Sequence, residues 1–422
     1  MFPRPPVRVY VAEILGLRCR GGVCVACELR CGIPQTPMKR FEDHQSGRIR
    51  DVGVLIVDLS NRFGGSNARV LGLMQGFEGA RLALGALAGS PLAVEARELG
   101  LKAHTVAAQK TDPGTWRRLR RLVCREGYQV LDVQNPQSKF WAALVAACEG
   151  TALVSTLNGW SAAEYGLSLK GRLYQAMELM TADRTDMFIA VSKKIRDKIV
   201  QEGVPQEAVA LIPNAVDMLQ DSVKSDAQWL RSKFGFPDCA VLCVAVGRLV
   251  WAKGYDHLIR AIGLSRHENV CCAMIGQGDR EGELRRLIQK EALGERIRLG
   301  GFYPHDETLK AIKSADMFVM ASLSEGTPIA LLEAAMLARP IVATRAGGIP
   351  EMVKHNQHAL LVEPGNEAEL ANAIDYLVEH PDRCRSLGRE AQKHVAANFS
   401  REAQQNATRA AYLKALQRKR TL

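Results

Sequence analysis

The sequence predicts an α/β protein made of two parallel-sheet domains that face a central cleft. Two apolar runs carry that prediction. Val52–Leu59 precedes Gly64, Gly65 and Ser66, and the run from Ala240 to Val246 precedes Gly247; a helical period follows each. A run without polar alternation marks a strand buried on both faces, as parallel strands are. The third observation is the alternation of short apolar runs with amphipathic stretches along the rest of the chain.

Each element follows in order. Residues 1–50 show no sustained period and contain Pro3, Pro5, Pro6, Pro34 and Pro37, so a poorly ordered extension is expected, with Met38 as an alternative start. A first domain is expected over 51–216. Its opening strand leads to a helix from about Asn67, with apolar positions Val70, Leu71, Leu73 and Met74. Strands are expected at Leu82–Ala88, Ala103–Ala107, Val130–Val133, Ala152–Leu157, Met187–Val191 and Val209–Ile212. Helices around Trp116, Trp141 and Leu173–Met180 separate them, and Ser192 is placed to cap a helix over Lys193–Glu202. The polar, mixed-charge segment 217–238 reads as a linker. The second domain, 239–399, repeats the opening logic, with strands at Val270–Ile275, Ile297–Leu299, Met317–Met320 and Ile341–Ala343. A long helix over Glu402–Gln417 closes the chain, within 400–422. Sheets of this kind bind ligands in the crevice beyond the carboxyl ends of their strands.

The bulk composition narrows the function. At 422 residues, with 47% hydrophobic and 24% charged residues, the chain is an ordinary globular protein large enough for two or three cores. No apolar run reaches the roughly 20 residues that span a bilayer. Glu13, Arg18 and Arg20 break the apolar part of the N-terminus, which argues against a secretory signal, so the cytoplasm is the expected location. The net charge of 56 − 45 = +11 favours an acidic partner: nucleic acid, anionic lipid or a phosphorylated small molecule. No helix-turn-helix, zinc finger or aromatic-basic interleaving supports nucleic acid. The densest basic run, WRRLRRLVCR from Trp116 to Arg125, fits a helix. It is either an amphipathic face for an anionic membrane, peripheral on its inner side, or a solvated face over a core. Cys19, Cys24, Cys27 and Cys31 cluster, but their spacing matches no common zinc or iron–sulfur pattern.

The candidate site lies in Ser322–Glu351, SLSEGTPIALLEAAMLARPIVATRAGGIPE. Glu325 and Glu333 flank Gly326, Thr327 and Pro328, and Gly347, Gly348 and Glu351 follow. This pattern reads as a loop opening onto a helix N-terminus, where backbone N–H groups and the helix dipole suit phosphate. Neighbouring carboxylates suit sugar hydroxyls, so the implied ligand is a nucleotide-sugar. Arg248 and Lys253, flanked by Gly247 and Gly254, can converge on one diphosphate. Such fixed cations stabilise the charge that grows on a departing diphosphate, and no metal or other cofactor is then required. Gly276 and Gly278, and Gly64 and Gly65 from the other domain, are candidates for close backbone approach to the donor.

Together these motifs resemble a retaining glycosyltransferase of the GT-B fold, family 4 (glycosyl transferases group 1), over about residues 51–420. The resemblance rests on the Glu-seven-residues-Glu pattern of Glu325 and Glu333. IPNAVD at Ile212–Asp217, VGRLVWAKG at Val246–Gly254, VATRAGGIPE at Val342–Glu351 and LLVEPGN at Leu360–Asn366 support it. It implies two Rossmann-like domains, a metal-independent hexosyl transfer from a nucleotide diphosphate-sugar to a hydroxyl acceptor, and a role in cell-envelope polysaccharide or glycolipid synthesis. The basic helix expected at 116–125, read as a membrane face, points to a lipid-linked or glycan acceptor near the membrane. By the same resemblance, Glu325 faces the donor sugar, Glu333 the ribose, and Arg248 and Lys253 the diphosphate. Main-chain N–H groups from Gly326 onward would support sugar and phosphate, and the last helix would cross back to the first domain. One position departs from the pattern. Where the family often has His before Gly, this chain has Asn158 before Gly159, and Asn cannot titrate near neutral pH. The alternative reading is therefore a nucleotide-sugar-binding protein without transferase activity. The absence of GxGxxG after the first strand argues against a dinucleotide dehydrogenase.

Overall fold

The computed structural model describes residues 52–77, 81–159, 181–217, 223–224 and 226–421. They fall within one compact unit, Ile49–Leu422. The expected N-terminal extension, its four clustered cysteines and the helix expected over Leu173–Met180 lie outside the described residues.

Two parallel sheets form the molecule. The first takes the order β3-β2-β1-β4-β5-β6-β7, where β1 is Gly53–Asp58, β2 Arg81–Leu87, β3 Ala103–Ala107, β4 Val130–Val133, β5 Ala152–Leu157, β6 Met187–Ala190 and β7 Val209–Leu211. The second takes the order β10-β9-β8-β11-β12-β13, where β8 is Val241–Val246, β9 Val270–Ile275, β10 Ile297–Gly301, β11 Met317–Met320, β12 Ile341–Thr344 and β13 Leu360–Val362. In each sheet the order reverses direction once, between β1 and β4 and between β8 and β11. A crevice opens at such switch points, so both sheets present one at their carboxyl edge.

The apolar runs form strands because both faces are covered. On β1, Val54 and Ile56 enter one core while Leu55 and Val57 enter another. On β8, Leu242 and Val244 face one layer and Cys243 and Ala245 the opposite one. Period-2 alternation then sorts apolar side chains between two cores rather than between core and water. The last helix, Arg401–Thr421, packs Ala411, Tyr412 and Ala415 into the core of the first sheet. The chain therefore returns from the second domain to the first.

Three elements differ from the sequence expectation. The segment read as a linker contains a helix, Ala227–Phe234; Asp226 caps it by accepting from Trp229 N at 3.0 Å, and Leu230 is buried in the second domain. A helix over Pro381–Asn398 and the edge strand β13 were not anticipated. The basic helix, Gly114–Glu126, buries Leu119, Leu122 and Val123 over the first core. Of its arginines, Arg118 pairs with Asp112, Arg120 with Glu149 and Arg125 with Glu126. Those contacts match a solvated face over a core. No helix among the described residues is long and apolar enough to cross a membrane.

Candidate active site

The loop after β11 opens onto the helix Ile329–Met336, with Pro328 at the N-cap position. Glu325 sits in this loop with a side chain only 9% exposed. Its Oε1 accepts from Lys253 Nζ at 2.6 Å and from Ser322 Oγ at 2.6 Å. A buried ion pair holds only where further hydrogen bonds satisfy its members, and Ser322 supplies one. Lys253 ends the short 3₁₀ turn Trp251–Lys253 that follows β8. The two switch-point strands β8 and β11 thus deliver a cation and a carboxylate to one spot.

Gly247 leaves β8 with φ 152°, and its carbonyl accepts from Tyr255 Oη at 3.0 Å. A Cβ on Gly247 would lie 3.1 Å from Lys253 Cε, so the glycine keeps the lysine stem in place. Arg248 comes next in sequence. A Cβ on Gly64, at the head of the first domain's helix Gly65–Gln75, would lie 3.7 Å from Arg248 Cδ and Nε. Gly64 and Arg248 therefore meet across the cleft, and Gly65 faces open space.

Other glycines serve packing. A Cβ on Gly276 would stand 2.0 Å from Gly247 O, and one on Gly278 2.2 Å from Leu249 O. These contacts require glycine whatever the ligand, because the loops after β8 and β9 lie backbone to backbone. Gly347 and Gly348 buttress the site loop in the same way, with Gly348 N donating to Glu325 O at 3.2 Å.

Several residues of the motif bind the opposite domain instead of facing open cleft. Thr327 Oγ1 donates to Val191 O, and Thr327 O accepts from Asn214 Nδ2 at 2.6 Å. Glu351, grouped with the ligand carboxylates in the sequence, accepts from Lys193 N at 2.8 Å and Lys194 N at 3.2 Å. It caps the first-domain helix Lys193–Gln201, where a carboxylate suits the dipole. Gly326 is at the seam: a Cβ there would lie 2.4 Å from Asn158 O. Asn158 and the Glu325 loop are therefore brought together from the two domains.

Glu333 lies in the helix Ile329–Met336, buried, and accepts from His305 Nε2 at 2.8 Å. The hydrogen bond to Glu333 holds the His305 pKa above its ordinary value, against the opposing pull of burial. His305 was not foreseen; it is 28 residues from Glu333 and carries no spacing signal. Among the described residues no cluster of His, Cys, Asp and Glu is arranged to hold a metal.

Comparison with known proteins gives this geometry its context. Residues 63–218 match Glycosyltransferase Family 4 and residues 227–394 match glycosyl transferases group 1. The D-inositol 3-phosphate glycosyltransferase of Corynebacterium jeikeium is 29% identical over 247 residues, covering 56% of this chain and 59% of that protein. The amylovoran biosynthesis glycosyltransferase AmsK of Erwinia amylovora is 28% identical over 196 residues, covering 44% and 46%. The chain spans about half the length of these curated relatives. Among solved structures, Anabaena HepE in complex with UDP-glucose superposes with a TM-score of 0.76 at 20% identity, covering 86% of this chain and 99% of that one. Sucrose-phosphate synthase from Thermosynechococcus elongatus gives 0.72 at 19% identity, covering 86% and 98%. With a family 4 domain, a group 1 domain and two facing parallel sheets, the chain belongs to the GT-B glycosyltransferases.

Proposed function

We propose that the protein transfers a hexose from a nucleotide diphosphate-sugar to a hydroxyl acceptor, with retention of anomeric configuration, in the synthesis of a cell-envelope polysaccharide or glycolipid. The observation that carries the reading is the Lys253–Glu325 pair, 2.6 Å apart at the switch point of the second sheet, in a loop whose Gly326 packs against the Asn158 backbone of the first domain. The UDP-glucose complex of HepE supports the donor class, and the role of AmsK in amylovoran biosynthesis supports a biosynthetic setting.

In this mechanism the donor diphosphate draws Lys253 Nζ toward it, with Arg248 on its other side. The C–O bond between the anomeric carbon and the β-phosphate oxygen breaks, and the electron pair leaves with the phosphate. The two cations stabilise that charge most where it is fully developed, in the transition state. The acceptor hydroxyl attacks from the same face and passes its proton to the departing phosphate oxygen, so no protein nucleophile takes part. Glu325 holds sugar hydroxyls, and the Glu333 oxygen not engaged by His305 holds the ribose. Glu325→Ala is expected to abolish release of UDP from UDP-glucose while the protein stays folded; retained turnover would overturn the assignment.

A second reading has one observation in its favour. Asn158 stands at the seam where a titratable group is expected, so donor binding without transfer is the alternative. Calorimetric binding of UDP-glucose with no UDP released over a long incubation would favour it.

A further inference from the structure

A chain of hydrogen bonds runs from the last helix to the cleft. Asp132, on β4, is fully buried. Its Oδ2 accepts from Tyr412 Oη of the returning helix at 2.7 Å. Its Oδ1 accepts from Thr156 Oγ1 at 2.8 Å and from Gln134 Nε2 at 2.9 Å. Gln134 Oε1 in turn accepts from Asn158 Nδ2 at 3.3 Å, which also approaches Gln134 O at 3.5 Å. Arg69, itself fully buried with no hydrogen-bond partner for its guanidinium, supplies a positive charge near Asp132.

The chemistry of these groups fixes the direction of the chain. A carboxylate only accepts, so Gln134 must turn its NH₂ toward Asp132 and its oxygen toward Asn158. Asn158 must then turn its NH₂ toward Gln134. Its Oδ1 is left buried without any partner. Leaving a buried acceptor unpaired is destabilising, and it marks a place where a ligand donor can bind.

We infer that Asp132 is a positioning residue that acts through Gln134 to hold the Asn158 amide with its oxygen available, so that the site accepts a hydrogen bond from a hydroxyl of the reacting sugar or its acceptor. The role rests on the transfer reading above. Tyr412 couples it to the returning helix, so that helix has a part in setting the reaction centre besides closing the fold.

The test compares wild type, Gln134→Met, Gln134→Met with Asn158→Asp, and Asp132→Asn, using the full chain. UDP affinity is read by calorimetry, and kcat and KM by UDP release from UDP-glucose, UDP-galactose and UDP-N-acetylglucosamine. Met keeps the volume of Gln134 and removes both hydrogen bonds. The expected result is a kcat lowered about tenfold or more with UDP affinity within about twofold of wild type. Asp at 158 offers an acceptor oxygen in either orientation, so the double variant is expected to recover kcat over Gln134→Met alone. Asp132→Asn can donate to Gln134 and reverse the chain; it is expected to lower kcat likewise, and it carries the test if the Met variant does not fold. A Gln134→Met kcat equal to wild type, a parallel fall in kcat and UDP affinity, or no recovery with Asn158→Asp would overturn the inference. A wild-type protein that binds UDP but releases none from any donor would instead overturn the transfer reading, and the role of Asp132 with it.

Discussion

Glu325→Gln separates two roles that the geometry assigns to one carboxylate. Glu325 holds Lys253 at 2.6 Å, and Ser322 shares the same oxygen. The amide has the shape of the carboxylate and still accepts from both, so the loop keeps its form. Removing one member of a fully buried pair costs about 3–5 kcal/mol. Lys253 is 19% exposed and retains a neutral acceptor, which reduces the expected cost to about 1–2 kcal/mol. That corresponds to a melting point lowered by roughly 2–8 °C for a domain of this size. Lys253 is then freer to meet a diphosphate, so UDP affinity is expected to hold or tighten. Turnover moves the other way: a hydrogen bond to a charged group contributes about 1.5–3 kcal/mol, and its loss from the sugar lowers the rate roughly 10- to 150-fold. Calorimetry with UDP and a UDP-release assay on UDP-glucose read the two effects separately. UDP affinity falling in step with turnover, or turnover unchanged, would refute the assignment of Glu325 to the sugar and Lys253 to the diphosphate.

The remaining predictions concern the residues around that pair. His305 has a raised pKa in the folded protein because it donates to Glu333. Its stabilising contact is therefore fully present below its ordinary value of 6.5 and is lost as pH rises through the raised folded value. The melting-point gap between wild type and His305→Gln should be widest below that pH and narrow in alkali; a gap independent of pH would count against the contact. Asn214→Ala removes the 2.6 Å bond to Thr327 O across the domains. It is expected to cost about 1–3 kcal/mol and to open the cleft, read as a larger radius of gyration in X-ray scattering; an unchanged radius would argue against this latch. Leu230→Ala, in the segment 217–238, is expected to cost about 2–5 kcal/mol in denaturant unfolding because Leu230 is fully buried; a neutral result would restore the linker reading.

The fold was legible where burial imposes a pattern. Strands such as Val270–Ile275 and Ala152–Leu157 are covered on both faces, and a continuous apolar run leaves little alternative. Strand Leu360–Val362 is only three residues long, too short for any period to show. The helix Ala227–Phe234 was hidden because it is only eight residues long and half of them are polar; Leu230, with Trp229 and Phe234 beside it, anchors the helix to the core. The site was legible where chemistry is local. Glu325, Lys253 and Arg248 lie beside glycines at strand ends, and the structure brings Lys253 onto Glu325. It was not legible where partners are distant: Asn214 and Thr327 are 113 residues apart, and Tyr412 and Asp132 are 280. Glu351 shows the same limit in reverse. Its place in the motif suggested a ligand carboxylate, but the helix it caps comes from the other domain.

The most direct test of the account is a thermal-shift titration of the full chain with UDP-glucose, UDP-galactose, UDP-N-acetylglucosamine and UDP, in parallel with Glu333→Gln. A ligand at 100 times its Kd stabilises the fold by about 2.7 kcal/mol. The account predicts that UDP and at least one UDP-sugar raise the melting point by several degrees, and that Glu333→Gln removes most of the rise. A melting point unmoved by every nucleotide, or a rise that Glu333→Gln leaves intact, would contradict it.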